Sequence, residues 1–225
     1  MGKFIVIDGL DGSGKGTQSE ILKARLEKSG KKVRLLSFPM YESEGSALVR
    51  MYLGGALGSD PSATNAYAAS SFFAADRYTS YRTDWKKDIE DEDTVVIANR
   101  FTTANAVHQL SKMPREDWDE FLSWLWDYEY GKLGIPSPDL VIYLEMTPEI
   151  SMALVSHRSE ETGQAKDIHE LDPMHLKNSY EAALYSSDKL GWERIKCYEG
   201  ERPLSIEQIS ELVCTAVNKK LGFEL

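Results

Sequence analysis

A chain of 225 residues that is 42% hydrophobic and 28% charged carries enough apolar material for one ordinary globular core, which excludes a disordered or fibrous protein. A net charge of -10 excludes broad nucleic-acid binding, which needs a basic surface. Any anionic ligand must therefore be met locally, by a few gathered cations and backbone amides.

Phe4 to Asp8 is predicted as a short buried strand, too short for a signal peptide or a membrane span. Gly2 follows Met1, but Val6 stands where a myristoylation motif wants Ser or Thr. A glycine-rich turn, Gly9 to Gly14, comes next. It leads into an amphipathic helix over Gln18 to Lys28, with Ile21, Leu22 and Leu26 inward and Gly30 closing it. Lys32 to Phe38 reads as a second strand. Asp60 before Pro61 reads as an N-cap opening a long helical stretch to about Ile89. Thr94 to Ala98 is a third strand, and Pro114 opens a helix whose inner face is Trp118, Phe121, Leu122 and Leu125.

Leu140 to Leu144 is a fourth strand, and residues 157–170 are polar enough to read as a mobile loop. Tyr180 to Lys189 is helical and Ile195 to Tyr198 a fifth strand. Ser205 and Gln208 form a capping box for a last helix with Ile209, Leu212, Val213, Ala216 and Val217 inward. Strands and helices alternate, and the strands are apolar throughout. The expected fold is α/β, a P-loop three-layer α/β/α sandwich with a five-stranded parallel sheet, in one domain over residues 1–225. Cys197 and Cys214 lack metal-ligand spacing and read as buried reduced thiols in a cytoplasmic protein, with no membrane partner expected. The cluster of Trp118, Trp124 and Trp126 reads as core and subunit packing.

Between the first strand and first helix stands Gly9-Leu10-Asp11-Gly12-Ser13-Gly14-Lys15-Gly16-Thr17. Phosphates need such a turn: glycines let the backbone approach, N–H groups point inward, and the helix dipole adds positive potential. Lys15 would reach the β- and γ-phosphates of ATP, and the turn from Gly9 through Thr17 is the expected ATP site. The motif wants Ser or Thr directly after the lysine as a Mg²⁺ ligand. Here Gly16 stands there and Thr17 follows, so Mg²⁺ is expected to be held largely through water. Phe73 and Arg77 lie four apart and project from one helix face, where an aromatic plane beside a guanidinium fork suits a flat base with carbonyl acceptors. Arg100 directly follows the third strand, at the end where open α/β sheets place ligands.

These segments, with Phe38-Pro39-Met40-Tyr41, Asn99-Arg100-Phe101 and Leu133-Gly134-Ile135-Pro136-Ser137-Pro138-Asp139, resemble thymidylate kinases in order and spacing over nearly the whole chain. The resemblance implies ATP-dependent phosphorylation of dTMP to dTDP by a homodimer. It also implies that Phe73 stacks on thymine, Arg77 bonds its O4, Asn105 contacts the base and His108 packs against the sugar. Tyr41 and Phe38 would line the acceptor-phosphate pocket, and Asp11 would receive the 3′-hydroxyl. Arg100 would bridge the acceptor phosphate and the transferring group. The loop over 157–170 resembles the family's lid, with Arg158 as its catalytic arginine, Lys166 as its other cation, and Asp11 and Glu170 near Mg²⁺ through water. The family usually has Asp-Arg-Tyr where this chain has Asn99-Arg100-Phe101. Gly16 and Asn99 leave open a nucleotide-binding member without turnover, and another nucleoside-monophosphate or deoxynucleoside kinase is the alternative activity.

Overall fold

The apolar runs at residues 4–8, 94–98 and 140–144 make buried central strands, and two more exposed strands flank them at the sheet edges. The computed structural model describes residues 1–58, 63–162 and 173–225, with the side chains of 158–162 and of Pro173 excepted. β1 (Lys3–Gly9), β2 (Lys32–Ser37), β3 (Thr94–Asn99), β4 (Leu140–Glu145) and β5 (Glu193–Lys196) form a parallel sheet in the order β2-β3-β1-β4-β5. β1 is central. The chain first builds outward on its β3 side and later on its β4 side, so the order reverses at β1 and opens a crevice at the carboxyl ends of the strands.

The pleat divides the core. Phe4 and Val6 of β1 face one side with Trp85, Val96 and Phe101. Ile5 and Ile7 face the other with Leu22, Leu26, Val213 and Val217. The second face is covered by α1 (Lys15–Lys28) and, at the carboxyl end of the chain, α9 (Ile206–Leu221). The first is covered by α3 (Ala66–Ser80), α5 (Thr102–His108), α6 (Trp118–Trp126) and α8 (Pro173–Leu190). α2 (Ala47–Leu53), α4 (Lys86–Glu90) and α7 (Pro148–Thr162) complete the described α-helices. The three-layer α/β/α expectation holds.

Several boundaries differ from the sequence reading, each for a local reason. α1 begins at Lys15, three residues early, because left-handed Gly14 at φ 87 turns the chain straight into it. The long helix over residues 60–89 is three pieces: α3, a wider π-type turn over Tyr81–Trp85, and α4. Asn65 caps α3, its side chain accepting from the Ala68 amide at 2.9 Å, whereas Asp60 and Pro61 lie outside the described residues. Residues 157–162, expected as loop, continue α7, and 163–172 lie outside the described residues. The capping box of Ser205 and Gln208 is present. Leu212 is 43% exposed rather than core. At about 100° per residue it falls beyond the arc held by Ile209, Val213, Ala216 and Val217, an arc that buries Ser210 and Cys214 instead.

Candidate active site

Pairing of β1 with β3 sets the site. Ile7 lies opposite Asn99, and the Arg100 amide donates to the Ile7 carbonyl at 3.0 Å. This puts the residue after β3 beside the turn after β1. Arg100 takes φ 64, the left-handed region that non-glycine residues rarely enter, and its guanidinium pairs with the Asp11 carboxylate. Backbone strain of this kind persists only where surrounding structure imposes it, and it gathers at functional sites.

The Gly9–Gly14 turn is built tightly. A Cβ on Gly9 would lie 2.7 Å from the Leu144 carbonyl oxygen, and one on Gly12, at φ 81, would lie 2.9 Å from that of Ser151. The Ser151 hydroxyl donates to the Asp11 carbonyl, tying α7 to the turn. No acidic residue occupies the first turn of α1, so the amides at its start keep their positive potential. Lys15 is buried and folds back over the turn, its Nζ donating to the carbonyls of Gly9 and Leu10 at 2.9 Å each. Burial, with Arg100 beside it, pushes the Lys15 amine down to about 8. Burial works against the Asp11 carboxylate too, but Arg100, Lys15 and His108 together hold it well below the usual carboxylate range.

Two openings meet here. A cleft is bordered by Asp11, Gly12, Lys15, Thr17, Asn99 and Arg100, with Gly14, Gly16, Leu154 and His157 around them. A cavity is lined by Asp11, Phe38, Tyr41, Phe73, Arg77, Arg100, Asn105 and His108. Asp11 and Arg100 belong to both. Every acceptor-side residue singled out in the sequence thus borders one cavity. The Arg158 side chain, Lys166 and Glu170 lie outside the described residues.

The structure adds what the sequence did not. Arg77 is 2% exposed, and its fork does not face the cavity squarely. Nε and Nη2 clasp Glu129, each at 2.6 Å, and Nη1 donates to the Phe101 carbonyl at 3.3 Å. Glu129 is fully buried in a π-type turn over Asp127–Lys132 and also accepts from Thr102 at 2.7 Å and Asn105 at 3.3 Å. Asp8, fully buried at the end of β1, accepts from the Gly9 amide at 2.8 Å and from the Thr103 hydroxyl. Burial raises its carboxyl. His108 stacks on His175, ring centroids 5.8 Å apart, joining the cavity wall to α8.

The family model for thymidylate kinase matches residues 7–188. Over 171 residues the chain is 29% identical to a thymidylate kinase of Mycobacterium tuberculosis, covering 75% of this chain and 78% of the relative. It is 31% identical over 164 residues to a probable thymidylate kinase of Thermococcus gammatolerans, covering 72% and 74%. The fold matches a solved thymidylate kinase from Candida albicans with a TM-score of 0.72 at 19% identity, over 99% of this chain and 94% of that one. With a P-loop cleft and an aromatic-lined cavity meeting at Asp11 and Arg100, this chain belongs to the thymidylate kinase family.

Proposed function

We propose that the chain moves the γ-phosphoryl group of ATP in line onto a phosphate oxygen of dTMP, with Lys15 and Arg100 as catalytic residues. The observation that carries this assignment is the shared edge: Asp11 and Arg100 border both the P-loop cleft and the aromatic cavity. Two nucleotides seated in these openings would meet phosphate to phosphate at that edge. The acceptor phosphate has a second pKa of about 6, so its oxygen is already largely anionic at neutral pH and needs no general base. What remains is to position two anions and neutralise charge as it moves. Lys15 would leave the Gly9 and Leu10 carbonyls for the phosphates, and Arg100 would face the acceptor. A lid over about residues 157–170, with Arg158, would exclude water.

On the acceptor side, Phe73 stacks on the base, Arg77 and Asn105 meet its edge, and His108 packs against the sugar. Phe38 and Tyr41 lie by the acceptor phosphate, and Asp11 receives the 3′-hydroxyl. Among the described residues no group of three or more His, Cys, Asp or Glu gathers to hold a metal. The Asn99 Oδ1, in contrast, is a buried oxygen without a hydrogen-bond partner, and Asn99 and Thr17 border the cleft. That oxygen donor set fits a Mg²⁺ carried mainly by phosphates and water, with Asn99, Thr17, Asp11 and Glu170 around it. Such an ion would neutralise phosphate charge.

We further read residues 1–225 as one catalytic domain working in the cytoplasm as a homodimer. Tyr67, Trp124 and Tyr128 form a half-buried aromatic ladder suited to subunit packing, with Trp124 and Tyr128 stacked at 5.1 Å. No described helix is long and apolar enough to cross a membrane.

An ADP-release assay over a panel of nucleoside monophosphates tests the activity. dTMP should be the best acceptor, and a folded chain that shows no ATP-dependent conversion of dTMP removes the reading. Arg77→Lys keeps the charge but loses the fork, and should raise the KM for dTMP about 10- to 100-fold with the KM for ATP within about twofold. Equal losses for both substrates would detach Arg77 from the base. Lys15 gives a pH prediction. Its amine sits at about 8 without nucleotide, and phosphates would raise it. Above that pH, triphosphate binding should therefore take up a proton, and well below it uptake should vanish. Calorimetry in buffers of different ionisation enthalpy reads this directly. Buffer-independent heats above pH 8 would contradict Lys15 as the phosphate contact.

A further inference from the structure

Glu129 touches neither opening, yet it organises the wall of one of them. Its carboxylate takes hydrogen bonds from Arg77 Nε and Nη2, Thr102 Oγ1 and Asn105 Nδ2, which fills its acceptor capacity. Arg77 and Asn105 line the cavity; Glu129 and Thr102 do not. The Asn105 amide nitrogen donates to the Ser70 carbonyl and to Glu129, both at 3.3 Å. Each of those partners can only accept, so the NH₂ must face them and the carbonyl oxygen Oδ1 is left toward the cavity. Arg77 has spent its Nε and part of both Nη groups on Glu129 and the Phe101 carbonyl, so it offers the cavity donors alone.

Resting on the dTMP kinase reading, we propose that Glu129 is a positioning residue that sets which pyrimidine the site accepts. It holds a donor (Arg77) beside an acceptor (Asn105 Oδ1). Thymine presents the complement, an O4 acceptor beside an N3–H donor. Cytosine presents the reverse, an amino donor at C4 beside an N3 acceptor, and would leave Arg77 and Asn105 facing like groups. A site whose buried polar groups are left unpaired rejects the wrong ligand strongly. Uracil matches thymine along this edge, so the device discriminates against cytosine and is indifferent to the methyl group. In Glu129→Gln one oxygen becomes an NH₂. That removes one of the two acceptors that orient the Asn105 amide, leaving only the Ser70 carbonyl, and opposes one Arg77 N–H.

The test compares kcat/KM for dTMP, dCMP and dUMP in wild type, Glu129→Gln and Thr102→Val. Glu129→Gln should narrow the dTMP-over-dCMP preference at least about tenfold, mainly by raising the KM for dTMP. The KM for ATP and the dTMP-to-dUMP ratio should stay within about twofold of wild type. Thr102→Val removes one hydrogen bond to Glu129 and should shift the preference the same way by about threefold. A preference for dTMP over dCMP unchanged in a folded Glu129→Gln variant overturns the inference. If that variant does not fold, an unchanged preference in Thr102→Val does so instead. Wild-type turnover of dTMP separates the two claims. Its absence removes the kinase reading, whereas its presence with unaltered preferences removes only the role of Glu129.

Discussion

Lys15→Ala is expected to lower kcat by about 10²-fold or more while the protein stays folded, with a melting temperature near or above that of wild type. The two halves of this expectation come from the same geometry. The Lys15 ammonium is buried against the Gly9 and Leu10 carbonyls and next to Arg100, a like charge. Its amine is held at about 8 where an exposed lysine has 10.5, so the fold disfavours the charged form. Removing the ammonium relieves that burden, and because Lys15 itself borders the cleft, water can enter the space its side chain leaves. Activity falls because a phosphoryl group in flight spreads charge over its oxygens, and Lys15 is the buried cation of the turn that would meet them. Circular dichroism and thermal unfolding check the fold, and steady-state ADP release checks turnover. A folded variant with near-wild-type kcat would take the P-loop lysine out of the reaction.

Most of the sheet was legible because its three central strands, β1, β3 and β4, are buried on both faces. A run such as Phe4-Ile5-Val6-Ile7 has no polar alternation to mislead, and the alternation of strand with helix then dictates parallel pairing. The phosphate turn was legible because glycine spacing is a local requirement, visible at φ 81 for Gly12 and φ 87 for Gly14. Arg100 was legible as a strand-end cation, but its strained backbone was not. That φ is imposed from outside, by the bond to Ile7 and the pairing with Asp11. Glu129 was invisible for a related reason. In Asp127-Tyr128-Glu129-Tyr130 it reads as one more polar residue at the end of a helix. Its burial depends on a π-type turn and on Arg77, 52 residues earlier. The same long-range pairing explains why Arg77 read as a fork aimed at the base, whereas most of that fork is spent on Glu129. Leu212 failed for a simpler reason, the angular width of a helix face.

Arg100 yields the second large effect, and one in which activity and stability come apart. Both Arg100→Ala and Arg100→Gly delete the guanidinium at the edge shared by the two openings, and each should lose about 10²- to 10³-fold in kcat. Both also remove the same partner from Asp11, which keeps Lys15 at 3.5 Å. The backbone separates them. At φ 64 an alanine Cβ retains the strain that arginine already bears, whereas glycine enters this region freely. The glycine variant should therefore be more stable than the alanine variant by about 1 kcal/mol, although glycine is ordinarily the destabilising choice. For a domain of this size that is a rise of about 2–4 °C in melting temperature. Thermal unfolding of the two proteins side by side measures it, free of the lost ion pair they have in common. An alanine variant as stable as the glycine one would mean that the left-handed backbone at Arg100 carries no strain. Equal and undiminished kcat in both would mean that the cation between the two openings has no part in phosphoryl transfer.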